Sequence, residues 1–351
     1  PICAILMVAD FALAATVALA LKVPPEAALY NFITSPAIIP VTRTESLVPV
    51  GLLVIVIFIM TSNISISADN KGILKNKEAQ NNITLGVIIG GNNPEEELKQ
   101  VKDLGFSFCQ LIVSEYSHEL AQRLHESIEK YKVYPTTLIC MGPGNYAWNF
   151  TEGPSTIGLV PREFREARIK RLHQGIDFCN EVGIPAIHAH FGFIPENPKD
   201  SLYVEFIKIM KEIGKYALER RIDVYFETGQ ETPITLLRAI TDIGTGNLFI
   251  NCDVANLVMY GKSNSLDGVK ILSKYVKAIH AKDGKYPTNP YELGKEVPIP
   301  QGEVNFPAIV AYLKQINYKG NITIEYELAE KNYQYIIKTK KYLEKLILTT
   351  K

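Results

Sequence analysis

The sequence lacks the marks of several protein classes. Its 37 basic and 37 acidic side chains cancel. There is thus no excess of positive charge to recommend a nucleic-acid surface, and nucleic acid is not expected as a partner. The five cysteines, Cys3, Cys109, Cys140, Cys179 and Cys252, form no CxxC pair and no metal-finger spacing. They read as small buried apolar residues, not as a disulfide framework. No GxGxxG follows the first strand-like run, and no P-loop or other glycine-rich phosphate cradle is visible. Those absences remove the dinucleotide-binding and nucleotide-hydrolysing signatures. Global disorder is excluded by composition, since 47% of residues are hydrophobic and 21% charged.

Charge is almost missing from one region. Residues 1–68 carry only Asp10, Lys22, Glu26, Arg43 and Glu45, and the other 69 charged side chains lie beyond them. Two apolar stretches, Ile2–Leu21 and Leu47–Ile66, fill this region. The second contains the run Leu52–Met60 and passes into Ser65-Ile66-Ser67-Ala68. An apolar core followed by small polar residues is the order of a secretory signal peptide. An uncleaved membrane anchor is the alternative, because about 20 apolar residues span a bilayer. A start assigned too far upstream is the third, because the chain opens on Pro1. Residues 1–68 are therefore expected to be a hydrophobic leader and residues 69–351 the folded domain. A genuine leader implies export to the periplasm or the exterior, or attachment to a membrane through the leader; without one the protein is expected in the cytoplasm.

From residue 83 the punctuation becomes regular. Short β-rich runs occur at Ile83–Ile89, Phe106–Val113, Tyr134–Met141, Ala186–Phe191, Ile222–Glu227, Leu248–Asp253, Val276–Ala281 and Ile322–Glu327. A helix-patterned stretch follows each one, and Pro94-Glu95-Glu96-Glu97 opens the first helix with proline and acids in its first turn. Eight strand–helix units in about 265 residues predict an α/β fold, a (β/α)8 TIM barrel. An open doubly wound sheet is the structural rival.

Polar residues collect at the ends of the late strands. Glu227 ends the fifth, Asp253 the sixth, His280 lies near the end of the seventh and Glu325 near the end of the eighth. The spacings of 26 and 27 residues equal one strand–helix unit, and the third, 45, contains a long loop. Alternation turns Ile322 and Ile324 outward and Thr323, Glu325 and Glu327 inward. Three carboxylates crowded at a barrel mouth repel one another unless a cation sits between them. Two glutamates, one aspartate and one histidine suit a single divalent ion, Mn²⁺, Mg²⁺ or Co²⁺, with Zn²⁺ a further candidate. Capping or salt bridging at a strand end accounts for any one of the four, but less readily for all four on consecutive strands.

These residues carry a resemblance. His280-Ala281-Lys282-Asp283-Gly284, Gly302-Glu303-Val304-Asn305-Phe306-Pro307 and Tyr318-Lys319-Gly320-Asn321-Ile322-Thr323-Ile324-Glu325 resemble the xylose isomerase-like barrels. This superfamily of sugar phosphate isomerases and epimerases also includes inosose dehydratase and endonuclease IV. The likeness covers residues 83–346. It implies that Glu227, Asp253, His280 and Glu325 bind one divalent metal, and that Glu227 and Glu325 are the acid/base pair of an isomerase or epimerase. The implied chemistry removes a proton next to a carbonyl, through an enediolate, and returns it to the other face. A metal-dependent lyase or dehydratase of a keto-sugar or inosose shares the first half and then expels a leaving group. A non-catalytic carbohydrate-binding barrel is the rival from another class. The ketose 3-epimerases carry a His soon after the metal Asp and an Arg soon after the metal His. Here those neighbourhoods read Asp253-Val254-Ala255-Asn256 and His280-Ala281-Lys282-Asp283, so the resemblance does not extend to a substrate.

Further contacts with a small carbohydrate are expected from His188 and His190, two residues apart on the fourth strand, or these are satisfied core histidines. Glu196 lies in the following loop. Lys282 shares the face of His280, where its ammonium suits a substrate oxyanion or phosphate. Tyr146 and Trp148, in the loop after the third strand, form an aromatic platform or simply anchor that loop. His118, His125 and His173 fall on helices and are expected to face solvent. A homo-oligomer is left open.

Overall fold

The computed structural model describes residues 83–326 and 333–350. Residues 1–68, where a leader is expected, and Glu327 lie outside the described residues. Among the described residues no helix is long and apolar enough to cross a membrane.

Eight parallel strands close into a barrel. They are β1 (Thr84–Gly90), β2 (Phe108–Ile112), β3 (Tyr134–Ile139), β4 (Ala186–Ala189), β5 (Asp223–Glu227), β6 (Leu248–Asp253), β7 (Val276–Ala281) and, after a short antiparallel pair β8 (Asp283–Gly284) and β9 (Glu296–Val297), β10 (Asn321–Ile324). Each barrel strand neighbours the next in sequence, and β10 closes the ring against both β7 and β1. The helices are α1 (Pro94–Asp103), α2 (His118–Tyr131), α3 (Gly153–Thr156), α4 (Arg165–Val182), α5 (Ser201–Glu219), α6 (Pro233–Ile243), α7 (Val254–Met259), α8 (Ser265–Leu272), α9 (Phe306–Gln315) and α10 (Tyr333–Thr349).

Local chemistry sets these boundaries. Side chains of Ser117, Asp200, Thr232, Asp253, Asn264 and Asn305 accept the first free amides of α2, α5, α6, α7, α8 and α9. The strands alternate with period two. Ile187, Ile279, Ile322 and Ile324 join the apolar layer under the helices, while His188, His280 and Thr323 between them are buried polar groups. Gln110, Thr137, His188, Asn251 and His280 bond one another across strands inside the barrel, so its interior is polar at this level.

Several boundaries depart from the sequence reading. β4 stops at Ala189, which leaves His190 just beyond the strand and not on it. α4 begins at Arg165 instead of Arg162, because Phe164 takes a left-handed φ of 57° that breaks the helical path. α7, unforeseen, follows Asp253 directly, and every residue in it is buried. The last strand ends at Ile324, and Glu325 continues its pairing only through its amide, which donates to Ala281 O at 3.2 Å.

Two long loops are pinned by single buried charges. The Asp283 carboxylate accepts the amides of Gly284, Gly302 and Val304 at 2.9, 2.8 and 3.1 Å, tying both ends of the loop after β7 together. A Cβ on Gly302 would lie 2.1 Å from Asp283 Oδ1, so only glycine permits that approach. Arg168 donates to the carbonyls of Pro143, Asn145 and Gly158 at 3.0, 3.1 and 2.7 Å and lies over the Tyr146 ring, holding the loop after β3. Leaving buried amides without a charged acceptor costs about 1–3 kcal/mol each. Asp283→Ala is therefore expected to destabilise the fold by about 3 kcal/mol or more, read as a lowered midpoint in thermal unfolding followed by circular dichroism. An unchanged midpoint would contradict the tie.

Candidate metal centre

Glu227 is the last residue of β5, Asp253 the last of β6, His280 the penultimate of β7, and Glu325 the first residue after β10. Strand pairing sets Asp253 opposite His280 and His280 opposite Thr323. One donor atom from each of Glu227, Asp253, His280 and Glu325 falls within 4.8 Å of all the others. Glu227, Asp253 and His280 are buried, and the Glu325 side chain is 13% exposed.

Each donor is aimed by a bond made elsewhere. Asp253 Oδ1 caps α7, accepting the amides of Ala255 and Asn256 at 2.8 Å, which leaves Oδ2 turned to the centre. His280 Nε2 donates to Gln110 Oε1 at 2.7 Å, and Gln110 is oriented by its own donation to Asn251 Oδ1 at 3.0 Å. Because Nε2 is the donor to Gln110, His280 directs Nδ1 at Glu325 Oε2, 2.7 Å away, and at Glu227 Oε1, 3.0 Å away. Asp253 Oδ2, His280 Nδ1 and Glu325 Oε2 are buried, approach one another, and none is aligned for a hydrogen bond within the protein. Orphaned buried donors converging on one point are what a cation site requires, and two-carboxylate or three-carboxylate sets with one imidazole fit a divalent ion.

The electrostatics agree. Burial alone would weaken the His280 imidazolium, but the Glu325 and Glu227 carboxylates outweigh it and hold its pKa well above the ordinary value. Burial likewise opposes ionisation of Glu227, yet His190, His280 and a bond from His188 hold its carboxyl well below the usual range. His188 itself is pushed down by burial. Its Nε2 and that of His190 both lie 3.4 Å from Glu227 Oε2.

The other residues singled out in the sequence divide. His188 is buried, its Nδ1 2.6 Å from Thr137 Oγ1. His190 edges the cleft, bonded through Nδ1 to Gln230 Oε1 at 3.1 Å. Lys282 is buried against the centre, its Nζ 3.3 Å from Glu325 Oε1 and 3.7 Å from Asp253 Oδ2. Trp148, 45% exposed, stands edge-on to His190 at 4.8 Å and stacks on Tyr146 at 6.0 Å. Glu196 is exposed, bonded to Arg238 through its carbonyl, and is not among the residues lining the cleft. His118 and His125 are exposed, whereas His173 is half-buried, stacked on Tyr216 at 4.0 Å. Gln110, Asn251 and Thr137 went unnoticed in the sequence. Their only signal is a polar side chain at an inward position of an otherwise apolar strand.

Two expectations follow. Removing the acceptor that fixes the His280 ring, by Gln110→Leu, should weaken Mn²⁺ binding about 10–100-fold in calorimetric titration; unchanged affinity would contradict the positioning. In the metal-free protein His280 holds a second proton, because its pKa is raised. A metal must displace it, so affinity should fall about tenfold per unit as pH drops below that raised value, and loading at neutral pH should release about one proton. An indicator dye in weakly buffered solution reads the release, and no acidification would contradict the assignment.

Comparisons with known proteins bear on the fold. A family model described as xylose isomerase-like TIM barrel matches residues 98–346. Among curated proteins, the uncharacterized protein MJ1311 of Methanocaldococcus jannaschii is 25% identical over 195 residues, 52% of this chain and 63% of that one, so the match spans less than two thirds of the relative. Among solved structures, a xylose isomerase domain protein from Planctomyces limnophilus superposes with a TM-score of 0.70 at 28% identity, over 76% of this chain and 97% of that one. A D-tagatose 3-epimerase-like protein does so with a TM-score of 0.60 at 20% identity over 76% and 97%, a likeness of fold. The chain belongs to the xylose isomerase-like TIM barrel family.

Proposed function

We propose that this protein is a divalent-metal-dependent sugar isomerase or epimerase that moves a proton on the carbon next to a carbonyl. The observation that carries the reading is the convergence of Glu227, Asp253, His280 and Glu325 within 4.8 Å, at the end of the barrel where barrel enzymes keep their chemistry. Glu227, Asp253, His280 Nδ1 and Glu325 would hold the ion, Mn²⁺, Mg²⁺ or Co²⁺ by donor type and Zn²⁺ as a further candidate. When bound, it supplies Lewis-acid stabilisation of the charge that develops on the substrate's carbonyl oxygen.

The chain's own residues do the rest. Glu227 and Glu325 stand on β5 and just beyond β10, three strands apart round the barrel, so they reach a bound sugar from different flanks. One glutamate takes the proton and the other returns it to the opposite face. Lys282 Nζ holds Glu325 through Oε1, leaving Oε2 turned to the centre. The two histidines beside Glu227 keep it ionised between turnovers. Trp148 offers a flat apolar face at the cleft edge, which suits the C–H face of a sugar ring.

Incubation with a panel of keto-sugars in D₂O and added Mn²⁺ should give deuterium incorporation with formation of the epimer or isomer, abolished by EDTA. Loss of water instead would assign the chain to the lyases, and no exchange with any sugar would refute the reading. Glu325→Gln keeps an oxygen toward the centre but cannot accept a proton, so at saturating Mn²⁺ turnover should fall about 10²–10⁴-fold while substrate binding changes far less. Near-full activity in that variant would refute the role of Glu325.

A further inference from the structure

The metal centre has a second polar flank that the proposed chemistry leaves unused. It lies beyond β5 and β6, across the barrel from β1. Gln230 follows β5 and Tyr260 follows α7, and their side chains are buried, at 1% and 4% exposure. Gln230 Oε1 accepts the Nδ1 proton of His190 at 3.1 Å, and the other nitrogen of that ring lies 3.4 Å from Glu227 Oε2. Gln230 thus stands one imidazole away from Glu227, and His190 itself lines the cleft. Burial pushes the Tyr260 phenol up, and the nearby charges of Lys282 and Asp253 act on it as well. Both residues therefore border the same centre.

Each of the two side chains ends in an orphaned atom. Gln230 Nε2 and Tyr260 Oη are buried and have no hydrogen-bond partner among the described residues. Gln230 comes close enough to Tyr260 to ease ionisation of the phenol, but neither atom is aligned for a hydrogen bond with the other. The walls around them are apolar. The Tyr260 ring meets Phe193 at 5.9 Å and Phe150 at 6.2 Å, both edge-on, and a Cβ on Gly229 would lie 3.5 Å from it. Phe150 belongs to the loop that carries Trp148. A buried polar atom left unpaired is destabilising, and most such atoms in folded proteins find a partner. Two of them side by side, next to a metal centre, point to a partner that arrives from outside the chain.

We propose that Gln230 and Tyr260 bind a hydroxyl of the sugar, at a carbon other than the one that exchanges its proton. The inference rests on the isomerase reading and adds two substrate-contacting residues to it. A hydroxyl donates and accepts at once. One such group between the two side chains accepts from Gln230 Nε2 and pairs with Tyr260 Oη in either direction. Gln230 also orients the His190 ring beside Glu227, so the contact and the proton-transfer group share one support.

Tyr260→Phe tests this, because it keeps the ring between Phe150 and Phe193 and removes only the orphaned oxygen. Without sugar, the variant should unfold about 2–4 °C higher, since an unpaired buried hydroxyl is gone. Its Mn²⁺ affinity should stay unchanged. Trp148 is the chain's single tryptophan and lies in the cleft, so its fluorescence reports sugar binding apart from turnover. The Mg²⁺-loaded protein should be titrated with D-fructose, D-tagatose and D-allulose and with the monodeoxy analogues of each. The variant should bind the ketose about tenfold more weakly. One monodeoxy analogue should lose about as much in the unaltered protein, and the two losses should not add when that analogue meets the variant. A lowered unfolding midpoint would show that the hydroxyl is bonded within the protein, and would overturn the proposal. So would additive losses with every analogue, the result expected if a buried water is all that the pair holds, and so would the absence of any fluorescence response to these sugars. Proton exchange in D₂O keeps the two readings apart. Non-additive losses without exchange leave the contact standing and sink the isomerase reading, whereas exchange with additive losses does the reverse.

Discussion

Three carboxylates and one imidazole nitrogen are brought within 4.8 Å of one another, three of the four residues buried. Uncompensated charges in such a setting cost several kcal/mol each, and most of the polar interior can be understood as an answer to that crowding. Lys282 supplies one cation between Glu325 and Asp253. His188 and His190 flank Glu227. Gln110 and Asn251, buried across the barrel, fix which nitrogen of His280 faces the group. Even so, Asp253 Oδ2, His280 Nδ1 and Glu325 Oε2 are left without hydrogen bonds, and a divalent ion resolves all three at once.

The barrel makes the crowding possible because parallel strands end together. Strand register sets the height of each donor, and the residue that ends a strand also starts the next element. Asp253 shows the economy of this arrangement: one oxygen begins α7 and the other faces the centre. The long loops after β3 and β7 do not rest on apolar packing alone. Asp283 gathers the loop after β7 through three amides, and Arg168 gathers the loop that carries Trp148 through three carbonyls. Anchoring of the loop that carries Trp148 fixes that wall of the cleft, at a mouth whose chemistry depends on placement.

Much of this was legible from the residues. Barrel closure showed in eight repeated strand–helix units, and the donors Glu227, Asp253 and His280 showed because one unit separates each from the next, a spacing that survives without any contact information. Alternation on the last strand turned both Glu325 and Glu327 inward, and the resemblance singled out Glu325, although that strand stops one residue before it. What stayed hidden is long-range. Gln110 touches Asn251 and His280 across sequence separations of 141 and 170 residues, and no local pattern encodes such a meeting. α7 was missed because six wholly buried residues carry no amphipathic period. Glu196 looked suited to the mouth by position in its loop, but the loop turns it outward to solvent. The acids at the start of α1 read as ordinary helix capping, and only the closed barrel turns that helix end toward the cleft.

The central claim is that Glu227, Asp253, His280 Nδ1 and Glu325 together hold one divalent ion. Crystals of the Mn²⁺-loaded protein, measured at the manganese absorption edge, test it most directly. The account predicts a single anomalous peak per chain, coordinated by those four side chains with His280 bound through Nδ1 and Nε2 still bonded to Gln110. No peak at that point, or a peak bound by other residues, would contradict it.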